Sequence, residues 1–161
     1  MNTLEKVCKI LIDNGLTIAT TESCTGGLLS SRFTDISGSS AFVHLNLVTY
    51  SNEAKHKMLG LTQETLSNFG AVSEECAYEM ARGLQNLTGA DFCISTTGIA
   101  GPTGGSYEKP VGLMYSCIYT KNRFTIFKIM LPPDTNRIKM KNGFADAVIE
   151  KFYIYLQEAG Y

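Results

Sequence analysis

The segment from Thr17 to Phe33 constrains the fold more than any other. A short β-prone run, Thr17-Ile18-Ala19, leads into Thr20-Thr21-Glu22-Ser23-Cys24-Thr25-Gly26-Gly27 and then into Leu28-Leu29-Ser30-Ser31-Arg32-Phe33, which suits a helix. The order is strand, tight turn, helix. Small hydroxyls, a thiol and two glycines fall at the turn, where a helix N-terminus offers free backbone N–H groups and the positive end of its dipole. Such a turn suits holding an anion, or stabilising an oxyanion beside a nucleophile. The same residues also describe a plain strand-to-helix turn with a Ser/Thr cap.

Residues 3–14 place Leu4, Val7, Cys8, Ile10 and Leu11 at helical spacing, with Gly15 as a stop. A strand over 17–22 and a helix over 25–35 follow, then a loop at Ile36-Ser37-Gly38-Ser39-Ser40 and a strand over 41–50. Ser51-Asn52 caps a short helix ending near Gly60, and Thr62 starts another that Gly70 closes. Ser73 opens a longer helix with Ala77, Met80, Ala81, Leu84 and Leu87 on one face. A buried strand over 91–97 precedes a glycine-rich loop, 98–106, too flexible to pack and too long for a simple turn. Strands over 111–119 and 124–130 form a hairpin, and after Pro132-Pro133 either Asp134 or Thr135 caps a last helix with Phe144, Val148, Ile149, Phe152 and Leu156 inward. The reading is α/β: one domain over 1–161, three α/β/α layers around a mixed, mainly parallel sheet. Ligands of such sheets bind beyond the carboxyl ends of the strands, where the turn at 23–27 and the loop at 98–106 share an edge.

The totals exclude several functions. With 161 residues the chain can bury a substantial core, and 44% hydrophobic residues argue against disorder. A net charge of −1 and the short cluster Arg137, Lys139, Lys141 give no nucleic-acid surface. Five scattered cysteines, Cys8, Cys24, Cys76, Cys93 and Cys117, form no CxxC pair and read as buried thiols in a reducing compartment. No apolar run reaches a membrane span and the N-terminus is no signal peptide, so a cytoplasmic protein without a membrane partner is expected. Glu22, Glu74, Glu75 and Asp91 lie too far apart in sequence to suggest a metal site, and no cofactor is implied.

Ser23 stands just before a helix, with potential oxyanion donors on the backbone of Cys24, Thr25 and Gly26. Cys24 is an alternative nucleophile, but it wants a histidine, and the two available are poorly placed. His44 lies within an apolar strand, as a core or interface residue. His56 sits on a charged helix and reads as solvated. Lysine is the other base available: Lys55, five residues after Tyr50, can activate a serine if burial lowers its pKa. Taken by their residue types alone, Lys55 and Lys57 describe a wet helix face. The glycine-rich loop matches neither GxxxxGK[ST] nor GxGxxG, yet its N–H groups can approach a phosphate or carboxylate.

Three stretches together resemble the CinA C-terminal domain family: Thr21-Glu22-Ser23-Cys24-Thr25-Gly26-Gly27; Val48-Thr49-Tyr50-Ser51-Asn52-Glu53-Ala54-Lys55; and Thr97-Gly98-Ile99-Ala100-Gly101-Pro102-Thr103-Gly104-Gly105 with Lys109-Pro110-Val111-Gly112. Gly70-Ala71-Val72-Ser73-Glu74 agrees, and the resemblance runs from about residue 5 to 157. It implies a nicotinamide-nucleotide amidase, which hydrolyses nicotinamide mononucleotide to nicotinic acid mononucleotide and ammonia in pyridine nucleotide recycling, without metal. Carried over by motif, Ser23 is the nucleophile, Lys55 the general base and Tyr50 an assisting residue. Substrate-binding candidates are Thr25, Gly26, Ser39, Ser40, Thr97, Gly98, Gly101 and Arg137. The family often has a second arginine where this chain has Lys141, and a glycine where it has Asn46, a residue that tolerates positive φ. A homodimer is expected, as is a stand-alone form lacking the N-terminal domain of many members. The alternatives are an amidase for another small amide, or a non-catalytic nucleotide-binding or regulatory protein on the same fold.

Overall fold

Side-chain caps and glycine stops divide the chain into its helices. The computed structural model describes all of residues 1–161. Helix α1 (Thr3–Asn14) opens on an Asn2/Glu5 capping box and ends at Gly15, in the left-handed region that favours glycine. Strand β1 (Ile18–Glu22) leads to α2 (Leu28–Thr34); a 3-10 turn at Ser39–Ala41 precedes β2 (Val43–Val48). The helix expected over 25–35 starts only at Leu28, because Gly26 and Gly27 take φ of 61° and 99°. Ser51, Thr62 and Ser73 cap α3 (Asn52–Leu59), α4 (Gln63–Phe69) and α5 (Glu74–Thr88), as their positions predict. Strands β3 (Phe92–Gly98), β4 (Leu113–Tyr119) and β5 (Phe124–Met130) follow, then α6 (Arg137–Glu158). The cap of α6 is Asn136, whose Oδ1 accepts from Lys139 N at 2.9 Å. Asp134 and Thr135 are used in the turn after the prolines, where Thr135 N donates to Pro132 O.

The sheet order is β2-β1-β3-β4-β5. β1 pairs parallel with β2 and with β3, while β4 is antiparallel to both its neighbours, so four of the five strands share one direction. Helices α1, α2 and α6 cover one face over the larger core, which includes Leu11, Phe33, Ile94, Phe144 and Phe152. Helix α5 covers the other face, carrying α3 and α4, over Ala19, Leu61, Met80, Leu84 and Cys93. Leu87, expected on the buried face of α5, is exposed near the helix end. His44 lies on edge strand β2 and is exposed, outside the core. All five cysteines are buried and free.

The chain leaves β1 for β2 on one side and then crosses to β3 on the other. The strand order therefore reverses about β1, and a crevice opens beyond its carboxyl end. Glu22 is level with Val48 and Thr96, which places Ser23, Thr49-Tyr50 and Thr97-Gly98 at that one edge. The loop after β3 is packed at its root, over residues 99–101, while residues 102–108 are exposed. Ile99 N donates to Leu113 O, Gly112 N donates to Ile99 O, and Ala100 and Gly101 are buried.

Helix α3, which carries Lys55, is seated by the absence of a side chain. A Cβ on Gly83 of α5 would stand 2.0 Å from the Leu59 carbonyl oxygen, so the two helices approach through backbone. Gly83→Ala gains about 1 kcal/mol of helix propensity, but α3 has to move away from α5. We expect a net loss of about 1–3 kcal/mol, read as a lower denaturant midpoint with an unchanged m-value.

Candidate active site

Three chain segments meet beyond the ends of β1, β2 and β3. Ser23 follows β1, and its N–H continues the ladder by donating to Thr96 O at 3.0 Å. Tyr50 follows β2, and Lys55 reaches back from the first turn of α3. Lys55 Nζ donates to Ser23 Oγ at 3.1 Å and to the Tyr50 carbonyl at 2.9 Å. Ser23 Oγ lies 3.5 Å from the same carbonyl, at the outer limit of a hydrogen bond.

The residue is only 1% exposed, so the wet-face reading of Lys55 does not hold. It forms no salt bridge with an acidic side chain. Burial therefore lowers its pKa, opposed only by the nearby thiols of Cys76 and Cys24. This is the environment in which a lysine sheds its proton easily enough to act as a base. Cys24 behaves in the opposite way. Burial pushes its thiol up to about 12, although a hydrogen bond with Thr96 works against the rise. A thiol held protonated is a poor nucleophile, so Ser23 is the better candidate.

Around this pair lies a cleft of about 260 Å³, lined by Ser23, Cys24, Tyr50, Lys55, Ala71, Val72, Thr97, Gly98, Ile99, Ala100, Gly101, Thr103, Gly104 and Arg137. Thr97 is buried and its hydroxyl donates to Ala71 O at 2.5 Å, which ties the start of α5 to the floor. Arg137, at the first turn of α6, donates to Gly101 O at 2.7 Å and to Tyr50 Oη at 3.3 Å. A larger cavity of about 560 Å³ exists at the other end of the sheet, near Asp91, Arg123 and Tyr155. It contains no comparable nucleophile and base, so the smaller cleft is the candidate site. No group of three or more His, Cys, Asp or Glu side chains is placed to hold a metal ion.

Several expected binding residues stand elsewhere. Ser39 and Ser40 precede β2, and β2 runs parallel to β1, so they lie at the opposite end of the sheet. The separation is the length of β2, about 20 Å. Thr25 does not face the cleft. It is fully buried, its hydroxyl donates to Glu22 Oε1 at 2.6 Å, and Thr96 Oγ1 lies 2.8 Å away. Gly26 also lies outside the lining, and its N–H is used on Ser23 O. Of the three proposed oxyanion donors, only the N–H groups of Cys24 and Thr25 are free of other partners. Tyr50 touches Lys55 through its backbone carbonyl, while its side chain is 59% exposed. Asn46 keeps an extended backbone, since no residue other than glycine has positive φ, and its side chain meets Thr20 instead. Lys141, four residues beyond Arg137, brings its Nζ to 3.4 Å from where a Cβ on Gly26 would be. The reading from residues alone missed Ala71 and Val72, which have no chemistry of their own to mark them. It also missed the part played by Glu22, whose signal was the lack of a capping side chain at Gly27.

The profile of the CinA C-terminal domain matches residues 1–156, nearly the whole chain. This chain belongs to the CinA C-terminal domain family. A CinA-like protein of Chlorobium limicola is 46% identical over 159 residues, covering 96% of this chain and 37% of its own length. One from Kosmotoga olearia is 50% identical over 135 residues, covering 84% of this chain and 33% of its own length. The chain thus spans about a third of the length of these curated relatives. Among solved structures, the competence/damage inducible protein CihA from Agrobacterium tumefaciens is 39% identical, with a TM-score of 0.87 and 94% of each chain covered. The competence damage-inducible protein A from Klebsiella pneumoniae is 31% identical, with a TM-score of 0.91 and 98% of each chain covered. The α/β fold expected from the sequence is therefore the CinA fold. No helix of this CinA chain is long and apolar enough to cross a membrane.

The buried lysine makes stability depend on pH in a definite direction. Its pKa is lowered from 10.5 in the folded chain, so between the two values the unfolded state binds more protons. Wild type therefore gains stability as pH rises through that window, and the penalty is complete below the folded value. The buried thiols oppose this trend above pH 9, but they are common to a Lys55→Met variant. Urea denaturation at a series of pH values should show the variant more stable than wild type at neutral pH, with the gap closing towards pH 10.5. A pH-independent gap would contradict the buried, uncompensated ammonium.

Proposed function

We propose that this chain is an amidohydrolase that converts nicotinamide mononucleotide to nicotinic acid mononucleotide and ammonia, with Ser23 as nucleophile and Lys55 as general base. The observation that carries the reading is the Lys55 amine, buried without a counter-ion, 3.1 Å from Ser23 Oγ. As a neutral amine it accepts the Ser23 proton across the same contact. Serine Oγ then bonds to the carboxamide carbon, whose oxygen takes the negative charge. The free N–H group of Cys24, which lines the cleft beside Ser23, is the nearest backbone donor in sequence to that charge. Lys55, now an ammonium, protonates the nitrogen as the C–N bond breaks, and ammonia leaves an acyl ester on Ser23. Water, deprotonated by Lys55, attacks the ester; Ser23 recovers its proton and the carboxylic acid departs. The Tyr50 carbonyl orients the Lys55 amine throughout.

The substrate follows from the family resemblance, and the cleft is compatible with it. Arg137 supplies a cation at the rim, and the loop residues Ala100, Gly101, Thr103 and Gly104 have backbone N–H groups that no other protein group takes up. Such donors suit a phosphate. The exposed Tyr50 ring at the mouth offers a face for a pyridine ring.

The test is ammonia release from nicotinamide mononucleotide, with and without a chelator. Wild type should turn over in both conditions. Ser23→Ala should reduce kcat by at least about a thousandfold and Lys55→Met by about 10²–10⁴-fold. Arg137→Ala should chiefly raise KM, by about tenfold, for the loss of a charge-assisted contact. A well-folded wild type that releases no ammonia would refute the substrate. Turnover surviving Ser23→Ala would refute the mechanism.

A further inference from the structure

Glu22 ends the central strand and is fully buried, yet it touches neither substrate cleft nor cation. Its two oxygens are saturated by donors. Oε1 accepts from Leu29 N at 2.9 Å and from Thr25 Oγ1 at 2.6 Å. Oε2 accepts from Ser30 N at 2.9 Å and from Ser30 Oγ. The N-cap residue of α2, Gly27, has no side chain to offer, so a carboxylate five residues upstream closes the helix start from inside the sheet. The turn that carries Ser23 is the chain between the carboxylate and the N–H groups it binds.

Proton bookkeeping extends the arrangement in two directions. Ser30 gives its hydroxyl proton to Glu22, and its Oγ also lies 2.7 Å from Thr20 Oγ1. Thr20 Oγ1 in turn lies 2.9 Å from the Asn46 side-chain amide, which carries the chain of contacts to the edge strand. On the other side Thr25 gives its proton to Glu22, so Thr96 donates to Thr25 across 2.8 Å. One arm reaches the edge strand at Asn46, and the other ends at Thr96, whose backbone carbonyl accepts from Ser23 N at 3.0 Å.

We propose that Glu22 is the positioning residue of the nucleophile turn: it gathers the N–H donors of α2 and the hydroxyls of Thr25 and Ser30, and so holds Ser23 Oγ in line with Lys55. This rests on the reading of Ser23 as the nucleophile. Two features separate it from a purely structural cap. A cap that only stabilises the fold changes how much protein is folded, leaving the turnover of each folded molecule alone. A positioning residue changes kcat in fully folded protein while leaving substrate affinity in place, because the cleft walls do not include it.

The experiment is steady-state hydrolysis of nicotinamide mononucleotide by the full chain, well below the melting temperature, joined to amide hydrogen exchange over residues 23–30. Glu22→Gln puts an NH2 group against donors, and kcat should fall by about a hundredfold, the usual effect of a misplacement near 1 Å, with KM steady. Ser30→Ala removes one donor and should lower kcat about tenfold, while Ser30→Thr, which keeps the hydroxyl, should recover most of it. Exchange over 23–30 should quicken in Ser30→Ala with the rest of the chain unaffected. Unchanged kcat in Ser30→Ala, or a loss that Ser30→Thr does not recover, overturns the proposal, and this pair decides the matter if Glu22→Gln does not fold. If wild type hydrolyses no nicotinamide mononucleotide, the amidase reading falls separately. Exchange over 23–30 then decides: quickening in Ser30→Ala supports Glu22 as the anchor of the turn, and unaltered exchange overturns it.

Discussion

A carboxylate taken out of water must be given hydrogen bonds in return, and Glu22 lies where every nearby element has donors to spare. The first N–H groups of a helix have no partners within it. The end of a parallel strand is adjacent to the start of the next helix in this class of fold. Putting the acid at the last residue of β1 joins these two facts. The carboxylate takes the Leu29 and Ser30 N–H groups, and the length of the intervening chain allows only a tight turn with two left-handed glycines. Ser23 falls at the top of that turn. The placement of Ser23 thus follows from the capping of a seven-residue helix that has no cap of its own.

The protein buries a second ionisable side chain a few residues away in space and treats it in the opposite manner. Glu22 is surrounded by donors that favour its acceptor role. Lys55 has two acceptors, one a neutral hydroxyl and the other a peptide carbonyl, and no acid. The pair is not an ion pair, and neither cancels the other. One group is anchored; the other is left under electrostatic stress, which is the condition of a base able to trade protons. The thiols around Lys55, Cys24 and Cys76, stay protonated because they are buried too. They fill space beside a titrating amine without competing for its role.

What could be read in the sequence was whatever depended on neighbours along the chain. Ser51, Thr62 and Ser73 announced their helices because a cap acts over three residues, and Gly15 and Gly60 ended theirs through backbone conformation alone. The site residues that line the cleft came from motifs that follow strands. The failures at the cleft involve distance. Ser39 and Ser40 look like ligand hydroxyls, but the parallel crossover carries them to the wrong end of the sheet. Lys55 looks wet in its own helix, yet α3 packs closely on α5 and Lys55 is buried. The root of the loop after β3 looks loose because its glycines hide the partners, Leu113 and Arg137, that hold Ile99 and Gly101. Glu22 looked like an isolated acid, since its donors include N–H groups that carry no mark in a sequence.

The acceptor that orients the Lys55 amine belongs to the peptide backbone at Tyr50, and no side-chain replacement can delete it. Direction of the amine and identity of the side chain at position 50 are therefore separate variables. The exposed tyrosine lines the cleft, while its carbonyl orients the Lys55 amine whichever side chain the residue carries. Descendants of such a chain can try new rims around the same buried lysine by single substitutions at one residue, with its orienting carbonyl kept.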